Sequence, residues 1–296
     1  ILVGEEEWAT AGPAATAAKP PYRSYKKRWL MLAIFCCMNM VNQAIWIGFA
    51  PIEDLVAETY SVSSDFVNML SLVFMIVYVP ACFPASYAID VYGCRAALCL
   101  GSALNLLGAA LRCALPPGPG LPALLVMCGQ FLCALAQPCF TNMPPKIAVV
   151  WFPAYQRALA DTIASLSATV GAAIGFLLPT SLGLQQMVYV HLVWSIVAAG
   201  LCWFVFNGEP PTPPSPFGER QRGATAFVKE LRDALSNCRL WCLLLAFACA
   251  LGSFNCLSTL SEQLTKPLGF TSDDASNFGV FTVASGICGA AVMTTI

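Results

Sequence analysis

Residues 29–52, WLMLAIFCCMNMVNQAIWIGFAPI, carry no charged side chain. The stretch is long enough to cross a bilayer, which takes about 20 apolar residues in a helix. Within it Asn39, Asn42, Gln43, Trp46 and Ala50 recur at helical spacing and fall on one side. Lipid alone cannot satisfy that side, because each amide left without a partner in hydrocarbon costs about a few kcal/mol. The polar face is therefore predicted to look onto other helices or a watery cavity, and the rest of the chain has to supply those neighbours.

The remaining sequence is suited to this. The chain is 58% hydrophobic and 10% charged, against about 25% charged in soluble domains, which predicts an all-α, multi-pass membrane protein. The 15 cysteines are scattered through apolar segments, with no CxxC pair and no Cys/His cluster. They read as small buried hydrophobes, and no metal or cofactor is expected. No Walker loop, nucleophile elbow or metal motif is present, so the chain is read as neither an enzyme nor an ATP-driven pump. It does not start with Met and it stops within an apolar segment, which reads as a fragment.

The expected organisation is a disordered tail over 1–28, a six-helix transmembrane bundle over 29–206, a linker over 207–238 and the first two helices of a second bundle over 239–296. The helices are predicted near 29–52, 66–88, 96–115, 121–143, 158–180 and 187–206, then 240–261 and from 276 onward. Pro80 and Pro84 are expected to bend the second helix. The segment from Pro144-Pro145 to Arg157 is expected to be a loop, and the linker to hold an interfacial helix from Phe227 to Leu235. Gly171 and Gly175 form a G-x-x-x-G close-packing signature in the fifth helix.

Basic residues test this layout. Alternate loops, starting with the tail, hold Lys19, Arg23, Lys26, Lys27 and Arg28, then Arg95, then Lys146 and Arg157, then five more in and beside the linker. The opposite side holds only Arg112 and Lys266. Positive charge marks the cytoplasmic side, so the N-terminus and the linker are expected there, in the plasma membrane or an intracellular membrane. Six helices, a charged linker and further helices make a two-half plan, in which transporters bind solute between the halves near mid-membrane.

Asp90-x-x-Gly93-x-Arg95, at the cytoplasmic end of the second helix, resembles the loop signature G-x-x-x-D-x-x-G-R-[RK] of the major facilitator superfamily. That resemblance implies a contact that holds the halves together on the inner side in one state of the cycle. Asp90 is expected to pair with Arg157 or Arg95. Longer pieces carry a narrower resemblance: NQAIWIGFAPI, LSLVFMIVYVPACFPASYAIDVYGCR, GSALNLLGAALRC, GQFLCALAQ, TVGAAIGFLLP, the PPTPPS of the linker and the STLxEQ of the seventh helix. In this order, from about Tyr25 to the end, they are similar to the FLVCR group (feline leukaemia virus subgroup C receptor-related proteins) of facilitators.

The FLVCR resemblance implies alternating-access transport of a small organic solute, with choline or ethanolamine favoured and haem as the alternative. A non-transporting receptor or scaffold is the reading from another class. Choline-type members box the quaternary ammonium with a Trp in the first helix and a Tyr in the seventh, with a Gln of the fourth nearby. Here Trp46 matches the Trp, and Gln137 or Gln130 the Gln. The Tyr position falls at Asn255, leaving Phe254 or Phe74 as the candidate second ring. Trp46, Gln137, Gln130, Asn42 and Asn255 are therefore the expected solute site, with membrane lipid the other partner and no role for nucleic acid. Elsewhere, Arg112 is expected to snorkel to the outer interface, Asp161 to pair with Arg157 one turn away, and His191, the only histidine, to be structural or solvated.

Overall fold

The computed structural model describes residues 22–215 and 224–293. Among them, seven helices are long and apolar enough to cross a membrane. The first runs as α1 (Lys27–Ile47), a 3-10 turn at Ala50–Ile52, and α2 (Glu53–Tyr60). Pro51 interrupts the α-helical ladder at that turn, and Glu53 and Asp54 occupy the first turn of α2, where the helix dipole favours negative charge. α3 (Ser64–Val91) opens on a Ser63 cap whose hydroxyl accepts from the Phe66 amide at 3.3 Å. It stays helical through Pro80 and Pro84.

α4 (Gly93–Arg112), α5 (Leu121–Thr141), α7 (Ala154–Leu182) and α8 (Leu184–Phe204) complete the six spans of the first bundle. Between α5 and α7 the expected loop is instead the short helix α6 (Pro144–Trp151). The tandem prolines that suggested a break sit in its first turn, where their fixed φ suits a helix and no N–H is missed. In the linker, α9 (Ala224–Leu235) forms where an amphipathic segment was expected, with Phe227 against Tyr87 of α3 at 5.7 Å between ring centres. α10 (Cys238–Thr259), the short α11 (Ser261–Thr265) and α12 (Ser272–Met293) follow.

The bundle is assembled around α1. The G-x-x-x-G pair of α7 lets the two backbones touch: a Cβ on Gly171 would lie 2.4 Å from the Met40 carbonyl oxygen, and one on Gly175 2.8 Å from that of Ala44. Phe35, Met38, Val41, Ile45 and Ile47 of α1 are fully enclosed by the surrounding helices. α12 packs against α7, where a Cβ on Gly279 would meet the Phe176 ring at 2.7 Å. At the Glu53 end of the bundle, Gln263 Nε2 donates to Glu53 Oε1 at 2.8 Å, and Lys266 pairs with Asp54.

Gly171→Ala in the full-length protein is expected to cost about 1–3 kcal/mol through overpacking against the Met40 backbone. It should lower the thermal midpoint, whereas Gly200→Ala, which has open space at its Cβ, should leave it nearly unchanged.

Candidate functional site

The polar residues of α1 divide between two fates. Asn42 Nδ2 donates to Asn105 Oδ1 of α4 at 2.9 Å and to the Cys133 carbonyl of α5 at 3.0 Å. Asn105 Nδ2 donates onward to Ser195 Oγ of α8 at 3.1 Å. Asn39 Nδ2 reaches α7 instead, donating to Ser167 Oγ at 2.9 Å and the Ala164 carbonyl at 3.3 Å. Gln130 Nε2 of α5 donates to the Leu70 carbonyl at 3.1 Å and the Ile45 carbonyl at 3.4 Å. These amides hold helices together, and their donors are spent on protein acceptors.

Gln43, Trp46 and Gln137 are different. They lie at the margin of burial, at 6%, 7% and 9% exposure. The side-chain amides of Gln43 and Gln137 make no hydrogen bond among the described residues, and Trp46 Nε1 has no acceptor. Only the Trp46 backbone is engaged, its carbonyl accepting from Ser71 Oγ at 3.3 Å. Gln43 precedes Trp46 by three residues and so sits one turn below it on the same helix. The sequence reading put Gln43 on the polar stripe but left it out of the expected site; its spacing to Trp46 was the available signal.

The antiparallel register of α1 and α5 fixes heights. Asn42 meets Cys133, Trp46 lies one turn from that layer towards the Glu53 end, and Gln137 lies one turn from it towards the Asp90 end. At about 1.5 Å per residue the two are separated by about 12 Å along the helix axes. Gln130, beside Ile45, is level with Trp46. Asn255 lies half-buried on α10, which packs on α3, α9 and α11. Of the two candidate rings, Phe74 is enclosed in the core at 1% exposure and Phe254 of α10 is half-buried.

At the other end of the bundle, Asp90 pairs with Lys146 of α6, Nζ to Oδ1 at 2.9 Å, rather than with Arg157 or Arg95. The helical course of 144–151 brings Lys146 there, and a loop assignment concealed it. Gly93 takes φ +87° where α3 turns into α4, a conformation glycine adopts without penalty. Arg95 Nη2 donates to the Trp203 carbonyl at 3.4 Å, capping the last turn of α8. Arg157 donates through Nε to the Phe152 carbonyl at 3.3 Å and also bonds Ser215 of the proline-rich linker. The contacts of Asp90 and Arg95 thus lie within the first bundle.

Two further expectations, for Arg112 and Asp161, are corrected, and that for His191 resolves to the structural alternative. Arg112 does not snorkel: α8 and the turn after α1 cover it, its guanidinium stacking over Phe49 with 4.8 Å to the ring centre. His191 is fully enclosed beside Gly48 and Met187. Asp161 makes no ion pair with Arg157, and its Oδ1 is buried without a donor.

A helical bundle organised around a polar-faced first helix, with a linker leading to further apolar helices, defines the class as multi-pass membrane proteins. The profile of the Major Facilitator Superfamily matches residues 26–296, and the chain belongs to that superfamily. It is 36% identical to Solute carrier family 49 member A3 of Danio rerio over 95% of this chain and 61% of that protein. The Xenopus tropicalis protein of that name is 33% identical over 94% of this chain and 60% of its own length. The choline/ethanolamine transporter FLVCR1 of Felis catus is 32% identical over 97% of this chain and 53% of that protein. The chain therefore spans little more than half the length of these relatives. In fold it is similar to the bacterial homologue of the human lysosomal transporter Spinster, with a TM-score of 0.67 at 17% identity over 90% of this chain and 62% of that one.

The division of polar residues predicts unequal stability effects. Asn42→Ala orphans the Asn105 and Cys133 acceptors and should cost about 1–3 kcal/mol, lowering the thermal midpoint of the full-length protein. Gln137→Ala breaks no hydrogen bond of its side chain and should change that midpoint little.

Proposed function

We propose that the chain is part of a facilitator that carries a small organic cation of the choline or ethanolamine class by alternating access. The observation that carries this reading is the unspent polar and aromatic surface of Gln43, Trp46 and Gln137 around the Asn42 layer. An aromatic face with the unbonded Gln43 amide a turn away attracts an alkylammonium through the ring and orients its hydroxyl or amine through the amide, while Gln137, two turns from Trp46, would meet the solute at another point of its path. The naming of similar proteins as choline/ethanolamine transporters supports the same substrate class. Asn42 and Gln130 support the site by fixing the helices that present it, and Asn255, or the neighbouring Phe254, would complete it from the second half.

In this reading the N-terminus, the Asp90 end and the linker face the cytoplasm, which the distribution of Lys and Arg supports. The Glu53–Gln263 and Asp54–Lys266 contacts then join the two halves on the outer side. Opening to the outside would break them, while Asp90–Lys146 stays within the first half throughout.

The test is uptake of labelled choline and ethanolamine by the full-length protein in cells with low endogenous uptake. Trp46→Ala should reduce saturable uptake about tenfold or more, in line with the loss of a desolvated cation–π contact worth about 2 kcal/mol. Gln43→Ala and Gln137→Ala should raise the half-saturation concentration. No uptake above background, with the protein verified in the sampled membrane, would remove this substrate class.

A further inference from the structure

We propose that Arg112 holds a small monovalent anion, chloride in physiological salt, inside the Glu53 end of the first bundle. Arg112 is the last residue of α4 and is only 3% exposed. Nε, Nη1 and Nη2 are all buried without an acceptor among the described residues. The groups whose ionisation bears on it are Tyr60, Cys113 and Cys133, and none is a carboxylate. Phe49 stacks against the guanidinium, and the side-chain stem lies against Gly129, whose Cβ would meet Arg112 Cγ at 2.7 Å. A guanidinium keeps its charge at any physiological pH, and a charge this deeply buried needs a counter-charge and hydrogen-bond acceptors. Among the described residues none supplies either.

A second group with the same deficit lies within electrostatic reach of it. Both ring nitrogens of His191 are buried without partners. His191 packs against Gly48, its Cε1 3.2 Å from where a Cβ would be, and Gly48 precedes the Phe49 that carries Arg112. A neutral imidazole donates through one nitrogen, so this pair offers an anion several donors in a low-dielectric setting.

Access and size narrow the ligand. A narrow crevice of about 10 Å³ leads to Arg112 between the end of α4 and the start of α8, with Tyr60, Gln185 and Val188 among its walls. His191 lies one turn beyond Val188 on the same helix. That space is at the lower limit for a single water, so phosphate and sulfate are too large, and even a single-atom anion would need the crevice walls to give slightly. Gln43, Trp46 and Gln137 do not line it, so the site is separate from the proposed solute site.

The test uses the purified full-length protein in lipid nanodiscs, unfolded thermally in sodium chloride, bromide, gluconate and sulfate at matched ionic strength. The midpoint should climb with the logarithm of chloride or bromide concentration once the site fills, and should stay flat in gluconate and sulfate. The protein should broaden the chloride NMR line, with bromide reversing the broadening. Arg112→Met should abolish both effects, and Arg112→Lys should weaken halide binding about tenfold, keeping the charge without the planar donor array. If Arg112→Met does not fold, the wild-type anion series decides. Equal midpoints in chloride and gluconate with no bromide-reversible broadening would overturn the proposal and assign the guanidinium to water. A response to phosphate-bearing lipid in place of halide, or broadening that persists in Arg112→Met, would overturn it too.

Discussion

The Asn42–Asn105–Ser195 chain, with the Cys133 carbonyl as its side branch, ties α1, α4, α5 and α8 together near the middle of the bundle. Asn42, Asn105 and Ser195 are fully buried, so their donors have to find acceptors within the protein, and the partners meet in one helix register. That register then places everything else on α1. It sets Gln130 level with Ile45, Trp46 one turn above the Asn42 layer, and Gln137 one turn below it. Interhelical hydrogen bonds of this kind are individually modest, about 0.6 kcal/mol on average. Their value here is in fixing rotation and height, while close backbone packing through Gly171 and Gly175 supplies contact.

From that arrangement the polar stripe of α1 acquires two roles. Asn39 and Asn42 spend their donors on α7, α4 and α5, whereas Gln43 and Trp46 keep theirs. The proposed transport would use both kinds of residue on one helix. Under that proposal the bundle would move as a rigid body in alternating access, and the groups left unsatisfied would be there for a solute to engage. The contacts of α11 and α12 with the Glu53 end and with α7 show where the second half meets the first in this structure.

Much of this was legible in the amino-acid order, because hydropathy, Gly spacing and charge asymmetry are local or nearly local signals. The spans, the amphipathic linker helix and the Gly171–Gly175 approach follow from them directly. What could not be read was rotation about each helix axis. Asn39 and Asn42 share a stripe but bond different neighbours, and only packing decides which. Arg112 ends an apolar helix, where a long cation ordinarily reaches for the interface; the Phe49 turn and α8 close over it, which no local pattern encodes. Lys146 went unnoticed as the partner of Asp90 because Pro144-Pro145 suggested a break, although tandem prolines also begin helices.

The most direct test of the division of α1 is hydroxyl-radical footprinting of the full-length protein in nanodiscs, with and without saturating choline. Trp46 and Met38 lie two turns apart on the same helix, one at the margin of the site and one fully enclosed. The account predicts that Trp46 is oxidised in the free protein and protected by choline, while Met38 stays unlabelled in both. Equal oxidation of Trp46 with and without choline, or labelling of Met38 to the same degree, would contradict it.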